Sequence, residues 1–136
     1  MTAARIRLGM VGGGQGAFIG EVHRIAARLD NHYELVAGAL SSNASRAAAS
    51  AEELGIGVNR SYANYAEMAK KEAGKKDGIE VVSIVTPNHL HFPIAKAFLE
   101  AGIHVICDKP LTSSIEDAEA LVSLVVQIVY WDMDCQ

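Results

Sequence analysis

Apolar residues in this 136-residue chain alternate between two spacings, and that alternation most restricts the fold it can adopt. In "RIRLGMV" (Arg5–Val11), Ile6, Leu8 and Met10 recur every second residue, the period of one strand face. From Ala17 onward Phe18, Ile19, Val22, Ile25, Ala26 and Leu29 fall at helical spacing and make one stripe. "YELVAGAL" (Tyr33–Leu40) reads as a second strand. "NASRAAASAEEL" (Asn43–Leu54) reads as a helix, with Asn43 as N-cap and Gly55 past the end. A short extended piece near Val58–Ser61 precedes a helix around Asn64–Glu72. "IEVVSIV" (Ile79–Val85) is nearly continuous apolar, as a strand covered on both faces would be. Pro93 and Gly102 bracket the next helix, and "IHVIC" (Ile103–Cys107) is a further strand. Ser113 and Glu116 have capping-box spacing ahead of a helix that carries Ala118, Leu121, Val122 and Val125 on one face. "QIVYW" (Gln127–Trp131) reads as a final strand.

Strands alternating with helices over single-domain length predict an α/β fold: a doubly wound parallel sheet with helices on both faces. The domain is expected over residues 1–126. Residues 127–136 form an atypical tail, a last strand plus a loose end.

Charge narrows the partners. The net charge of −4 comes without a basic cluster beyond "KKEAGKK" (Lys70–Lys76), which reads as a solvated helix end, so nucleic acid is not an expected partner. No apolar run approaches the roughly 18 residues of a membrane span. Cys107 and Cys135 show no CxxC spacing, and a reduced, cytoplasmic protein is expected.

The chemistry concentrates where the first strand meets the first helix. "LGMVGGGQGAFIGEVHR" (Leu8–Arg24) places Gly12, Gly14 and Ala17 as G-x-G-x-x-A, strand before and helix after. Gly12 permits a tight turn, Gly14 lets the backbone approach a pyrophosphate, and small Ala17 lets the helix pack on the sheet. Unpaired N–H groups at the helix start would then face the anion. The same letters hold G-x-G-x-G (Gly12, Gly14, Gly16), a loop that S-adenosylmethionine-dependent methyltransferases also use.

At the end of the second strand a dinucleotide site calls for an acid about 20 residues on, to hold the adenosine ribose. None stands there: "GALSSNASR" offers Ser41, Ser42 and Arg46. Serines do not repel a 2′-phosphate and Arg46 can pair with one, so NADP is expected to be tolerated or preferred over NAD. The plainer alternative is that both serines only cap the turn.

Two more strand ends reach the same edge. "TPNHLH" (Thr86–His91) puts Asn88, His89 and His91 in a loop, since Pro87 stops strand pairing. His89 and His91 lack further ligands at convincing spacing, so no metal is expected. "CDKPL" (Cys107–Leu111) fixes Lys109 between a strand and a proline, where a lysine can hold a substrate hydroxyl. A cis Lys109–Pro110 bond would aim it.

Together "VGGGQGAFIGEVHR", "TPNHLH" and "GIHVICDKPL" resemble the Gfo/Idh/MocA family, in order, from about Arg5 to Val125. The resemblance implies a Rossmann domain of an NAD(P)-dependent oxidoreductase acting on CH–OH groups of sugars, cyclitols or related polyols. It implies that Gly12, Gly13, Gly14, Gln15, Gly16, Ala17 and Phe18 line the pyrophosphate, and that Ser41, Ser42 and Arg46 face the adenosine ribose. Thr86, Pro87, Asn88 and His91 would border the cofactor's far half, and Lys109 matches the family's E-K-P lysine, which contacts substrate near the nicotinamide. Asp108 replaces the usual glutamate, one methylene shorter, and the resemblance places it with Lys109 among the cofactor-binding residues, Asp108 toward a ribose. The tail "VQIVYWDMDCQ" does not read like the family's continuation into a second sheet domain, which holds the acid/base pair. A truncated domain without efficient turnover of its own, prone to self-association, is therefore expected. A non-catalytic dinucleotide-binding or assembly module and a methyltransferase-like domain are the alternatives.

Overall fold

A computed structural model of the protein describes residues 3–134. Four strands form one parallel sheet: β1 (Ile6–Gly12), β2 (Tyr33–Ala39), β3 (Val81–Val85) and β4 (His104–Cys107), in the order β2-β1-β3-β4. The order reverses at β1, so the ends of β1 and β3 diverge toward opposite halves of the sheet and leave a crevice at its carboxyl edge. Helices α1 (Phe18–Arg28), α2 (Ala44–Glu53), α3 (Tyr65–Ala73), α4 (His91–Glu100) and α5 (Ile115–Asp134) complete the chain.

Strand alternation divides the core in two. Val11, Ala37, Ala39, Val82 and Ile84 point to one face and pack with Met68 of α3, Ile94 and Phe98 of α4 and Leu121 of α5. Met10 and Leu40 point the other way and pack with Ala51 and Ile56. β3 is buried from Val81 to Ile84, as its unbroken apolar run requires. At Gly9 a Cβ would lie 2.5 Å from Met68 Cε and 2.7 Å from Ile79 Cδ1, so the absent side chain sets how closely α3 approaches the sheet.

Three local expectations are corrected. Gln127–Trp131 is not a strand but the continuation of α5, since nothing in that segment breaks the helix; Cys135 and Gln136, the rest of the expected loose end, lie outside the described residues. The piece near Val58–Ser61 is a 3-10 turn over Val58–Arg60 with a single bridge, Ser61 to Gly38. The cap of α5 is Ser114, whose Oγ accepts from the Asp117 N–H at 3.2 Å, one residue beyond the expected Ser113. The apolar stripe of α1 is largely uncovered: Phe18 is 74 % and Leu29 66 % exposed, and in this helix only Gly20 is buried. Likewise on α5 Leu121 is buried, while Val122 and Val125 face outward.

Candidate functional site

The glycine loop is built by two constraints. Gly12, Gly13 and Gly16 have φ of +80°, +75° and +80°, where a side chain is strained. Gly14 instead lacks room: a Cβ there would sit 2.7 Å from the Leu40 carbonyl oxygen, to which its own N–H donates at 3.1 Å. The loop is thereby stitched to the end of β2. Ser50 of α2 adds a second stitch, its Oγ accepting from the Gln15 N–H at 2.9 Å and donating to the Arg46 carbonyl at 2.7 Å. Ala17 takes the N-cap position of α1 and supplies no side-chain cap, which leaves first-turn N–H groups of the helix for another acceptor.

Close packing of this helix rests on a glycine the motif does not name. At Gly20 a Cβ would be 2.4 Å from Gly13 Cα and 2.8 Å from Gly13 O. Arg24, one turn on, donates from Nη1 to that same Gly13 carbonyl at 2.7 Å, and burial lowers its pKa from the ordinary arginine value. The Gly13–Gly20 contact thus adds a second close approach to the one expected at Ala17. The signal was legible, since a glycine inside a helix gives up about 1 kcal/mol against alanine and calls for a packing reason.

Beside the loop lies a cleft of about 490 Å³, inside the size range of small-molecule sites. It brings together Gly12, Gly13, Gly14, Gln15 and Ala17 with Ser41, Ser42 and Arg46 at one end and Thr86 and Pro87 at the other. Gly16 and Phe18 border a second depression on the loop's outer side. Among the described residues no carboxylate lines the cleft. Thr86 Oγ1 is buried there with no hydrogen-bond partner among the described residues. Ser41 Oγ accepts from the Asn43 N–H at 3.1 Å, so it does help to shape the turn. Arg46 is exposed and has no ion pair among the described residues. Asn64 and Tyr65 also line the cleft, a contribution the sequence reading missed because it treated them only as a helix start.

The remaining site residues stand outside the cleft lining. Asn88 and His89 are exposed on a 3-10 turn, Asn88–Leu90. His91 is fully buried and lies behind the cleft, with Nδ1 2.6 Å from the Pro110 carbonyl oxygen and Nε2 3.0 Å from that of Thr86. Asp108 turns toward α1, its Oδ1 3.4 Å from His23 Nε2. Lys109 is exposed, and its bond to Pro110 is cis. Among the described residues no group of three His, Cys, Asp or Glu side chains gathers as a metal would need.

A family profile described as an oxidoreductase family with an NAD-binding Rossmann fold matches residues 6–127. The chain belongs to this Gfo/Idh/MocA family. An uncharacterized oxidoreductase of Bacillus subtilis, YfiI, is 46 % identical over 120 residues, which are 88 % of this chain and 30 % of that protein. A crystal structure of an oxidoreductase from Sinorhizobium meliloti superposes with a TM-score of 0.84 at 63 % identity, over 90 % of this chain and 34 % of that one. An inositol dehydrogenase homolog from Azotobacter vinelandii, solved in complex with NAD+, gives a TM-score of 0.89 at 43 % identity, over 92 % of this chain and 32 % of that one. The Gfo/Idh/MocA chain described here thus spans about a third of the length of the relatives it matches. Its residues fit the family's dinucleotide on their own terms: a glycine loop that strain at three positions and crowding at Gly14 keep bare, helix donors without a cap, and a buried threonine hydroxyl without a partner among the described residues.

Proposed function

We propose that the chain binds NAD(P) in the Gly12–Thr86 cleft as the nucleotide-holding part of an oxidoreductase acting on CH–OH groups of sugars, cyclitols or related polyols. The observation that carries this is the pairing of an uncapped α1 N-terminus with a glycine-rich loop at the sheet's switch point. Those N–H groups would hold the pyrophosphate, Ser41, Ser42 and Arg46 the adenosine ribose, and Thr86 and Pro87 the nicotinamide half. When bound, the nicotinamide supplies hydride exchange. Lys109 would orient the substrate hydroxyl, and turnover by this chain alone is slow, because one exposed lysine neither excludes water nor accepts a proton in a closed pocket.

The absence of any carboxylate in the cleft supports NADP being held at least as well as NAD. Isothermal titration with NADH and NADPH tests both points. Binding of neither removes the proposal, and clearly tighter NADH binding removes the NADP preference. Efficient polyol oxidation by the purified 136-residue chain would refute its dependence on further structure. The exposed stripe of α1 supports self-association, which sedimentation at rising concentration would register as a growing mass. Among the described residues no helix is long and apolar enough to cross a membrane.

A further inference from the structure

Lys109 is exposed, yet the residues on either side of it, the Asp108 carboxylate and the Pro110 carbonyl, are met from opposite faces of the sheet. On the α1 face, His23 Nε2 lies 3.4 Å from Asp108 Oδ1, and its Nδ1 lies 2.7 Å from Ser83 Oγ, a hydroxyl buried in the middle of β3. On the α4 face, fully buried His91 bridges the Pro110 and Thr86 carbonyls at 2.6 and 3.0 Å. A ring with one N–H serves one of these carbonyls at a time, and the doubly protonated ring serves both. The Asp108 N–H donates to the Ile84 carbonyl at 3.0 Å, so the turn leaves β4 still paired to β3.

We propose that His23 and His91 are positioning residues that clamp the Asp108–Pro110 turn from its two sides and so set where Lys109 stands relative to the end of β3. In this reading the Asp108 carboxylate is an anchor to α1, not a ribose ligand. Because His91 also meets the Thr86 carbonyl, the clamp steadies the nicotinamide end of the cleft and leaves the pyrophosphate end to the glycine loop. His23 fits this role better than a catalytic one, since its Ser83 partner is buried within a strand.

The inference rests on the nucleotide-binding reading, and the test separates the two. In the full chain, His23→Leu and His91→Gln are compared with wild type by hydrogen–deuterium exchange without ligand and by titration with NADH and ADP-ribose. Exchange of the peptide carrying Asp108–Lys109 is expected to quicken in both variants. NADH affinity is expected to fall about tenfold, while ADP-ribose, which lacks the nicotinamide, stays within about twofold. If His91→Gln fails to fold, His23→Leu, a change at a partly exposed site, carries the test alone. Unchanged exchange with unchanged NADH affinity would overturn the clamp, as would a parallel loss of ADP-ribose, which marks general damage. Wild-type protein that binds neither ligand would overturn the nucleotide site itself, a result visible before any variant is made.

Discussion

Replacing Gly20 by alanine isolates one contact between helix and loop. The new methyl would start 2.4 Å from Gly13 Cα and 2.8 Å from Gly13 O. Carbon atoms settle at about 3.5–4.0 Å, so α1 must retreat from the loop by roughly 1 Å or more. Overpacking of this kind costs about 1–3 kcal/mol, and alanine's better helix propensity returns about 1 kcal/mol. The net loss is then on the order of 1 kcal/mol, a fall in Tm of about 3–5 °C for a domain of this size. The effect on binding should be larger than the effect on folding. The same retreat moves the first-turn N–H groups away from the pyrophosphate and displaces Arg24 from the Gly13 carbonyl, which it reaches at 2.7 Å. We expect NADH affinity to drop at least tenfold by titration, about 1.4 kcal/mol, while circular dichroism shows a folded protein. Gly55→Ala serves as control: alanine there is strained by a φ of +72° rather than by a clash, since nothing lies within 4 Å of the would-be Cβ, and Gly55 is outside the cleft lining. It should lose comparable stability and keep its affinity. A Gly20→Ala protein that binds NADH within about twofold of wild type would show that the Gly13–Gly20 approach does not shape the anion site.

Other sites give independent checks. Arg46→Ala should weaken NADPH about tenfold and leave NADH nearly unchanged, because a 2′-phosphate is the group Arg46 is placed to meet; equal losses for both would assign Arg46 to the helix alone. Buried Glu72 accepts hydrogen bonds from Arg60, from the Tyr62 hydroxyl and from the Ile79 N–H; burial first, and Glu72 second, hold the Tyr62 pKa above its ordinary value. Glu72→Gln removes the charge that compensates Arg60 and should cost about 3 kcal/mol in urea unfolding, whereas a loss below about 1 kcal/mol would mean the cluster is not stabilising. Burial, with Asp108 adding to it, pushes the Cys107 thiol up to about 11. A raised thiol value keeps the neutral form dominant below it, so in a Cys135→Ser background iodoacetamide should react slowly at pH 8 and faster as the pH climbs toward 11. Rapid alkylation at pH 8 would contradict this.

The order of strands and helices, the glycine loop and three strand ends at one edge were readable from the sequence, because each depends on residues close together in the chain. A period of two or 3.6, a cap at Asn43 or a proline at Pro87 acts over a few residues whatever lies around it. The tail shows the boundary of that rule: "QIVYW" carries residues suited to a strand, yet nothing separates it from α5, and the helix runs through to Asp134. Three-dimensional packing alone decided the rest. Gly20 needs Gly13 across a loop, Ser50 needs Gln15, and His23 needs Asp108 from the end of β4, pairings 7 to 85 residues apart in number. It also decided which way Asp108 and His91 turn, since the same side chain at a strand end or helix start can face a ligand or the core. Local sequence sets which segments can be strand or helix, because backbone preference is a short-range property. Which side chains meet is set by how those segments stack, and that is fixed only when the two halves of the core close on the sheet.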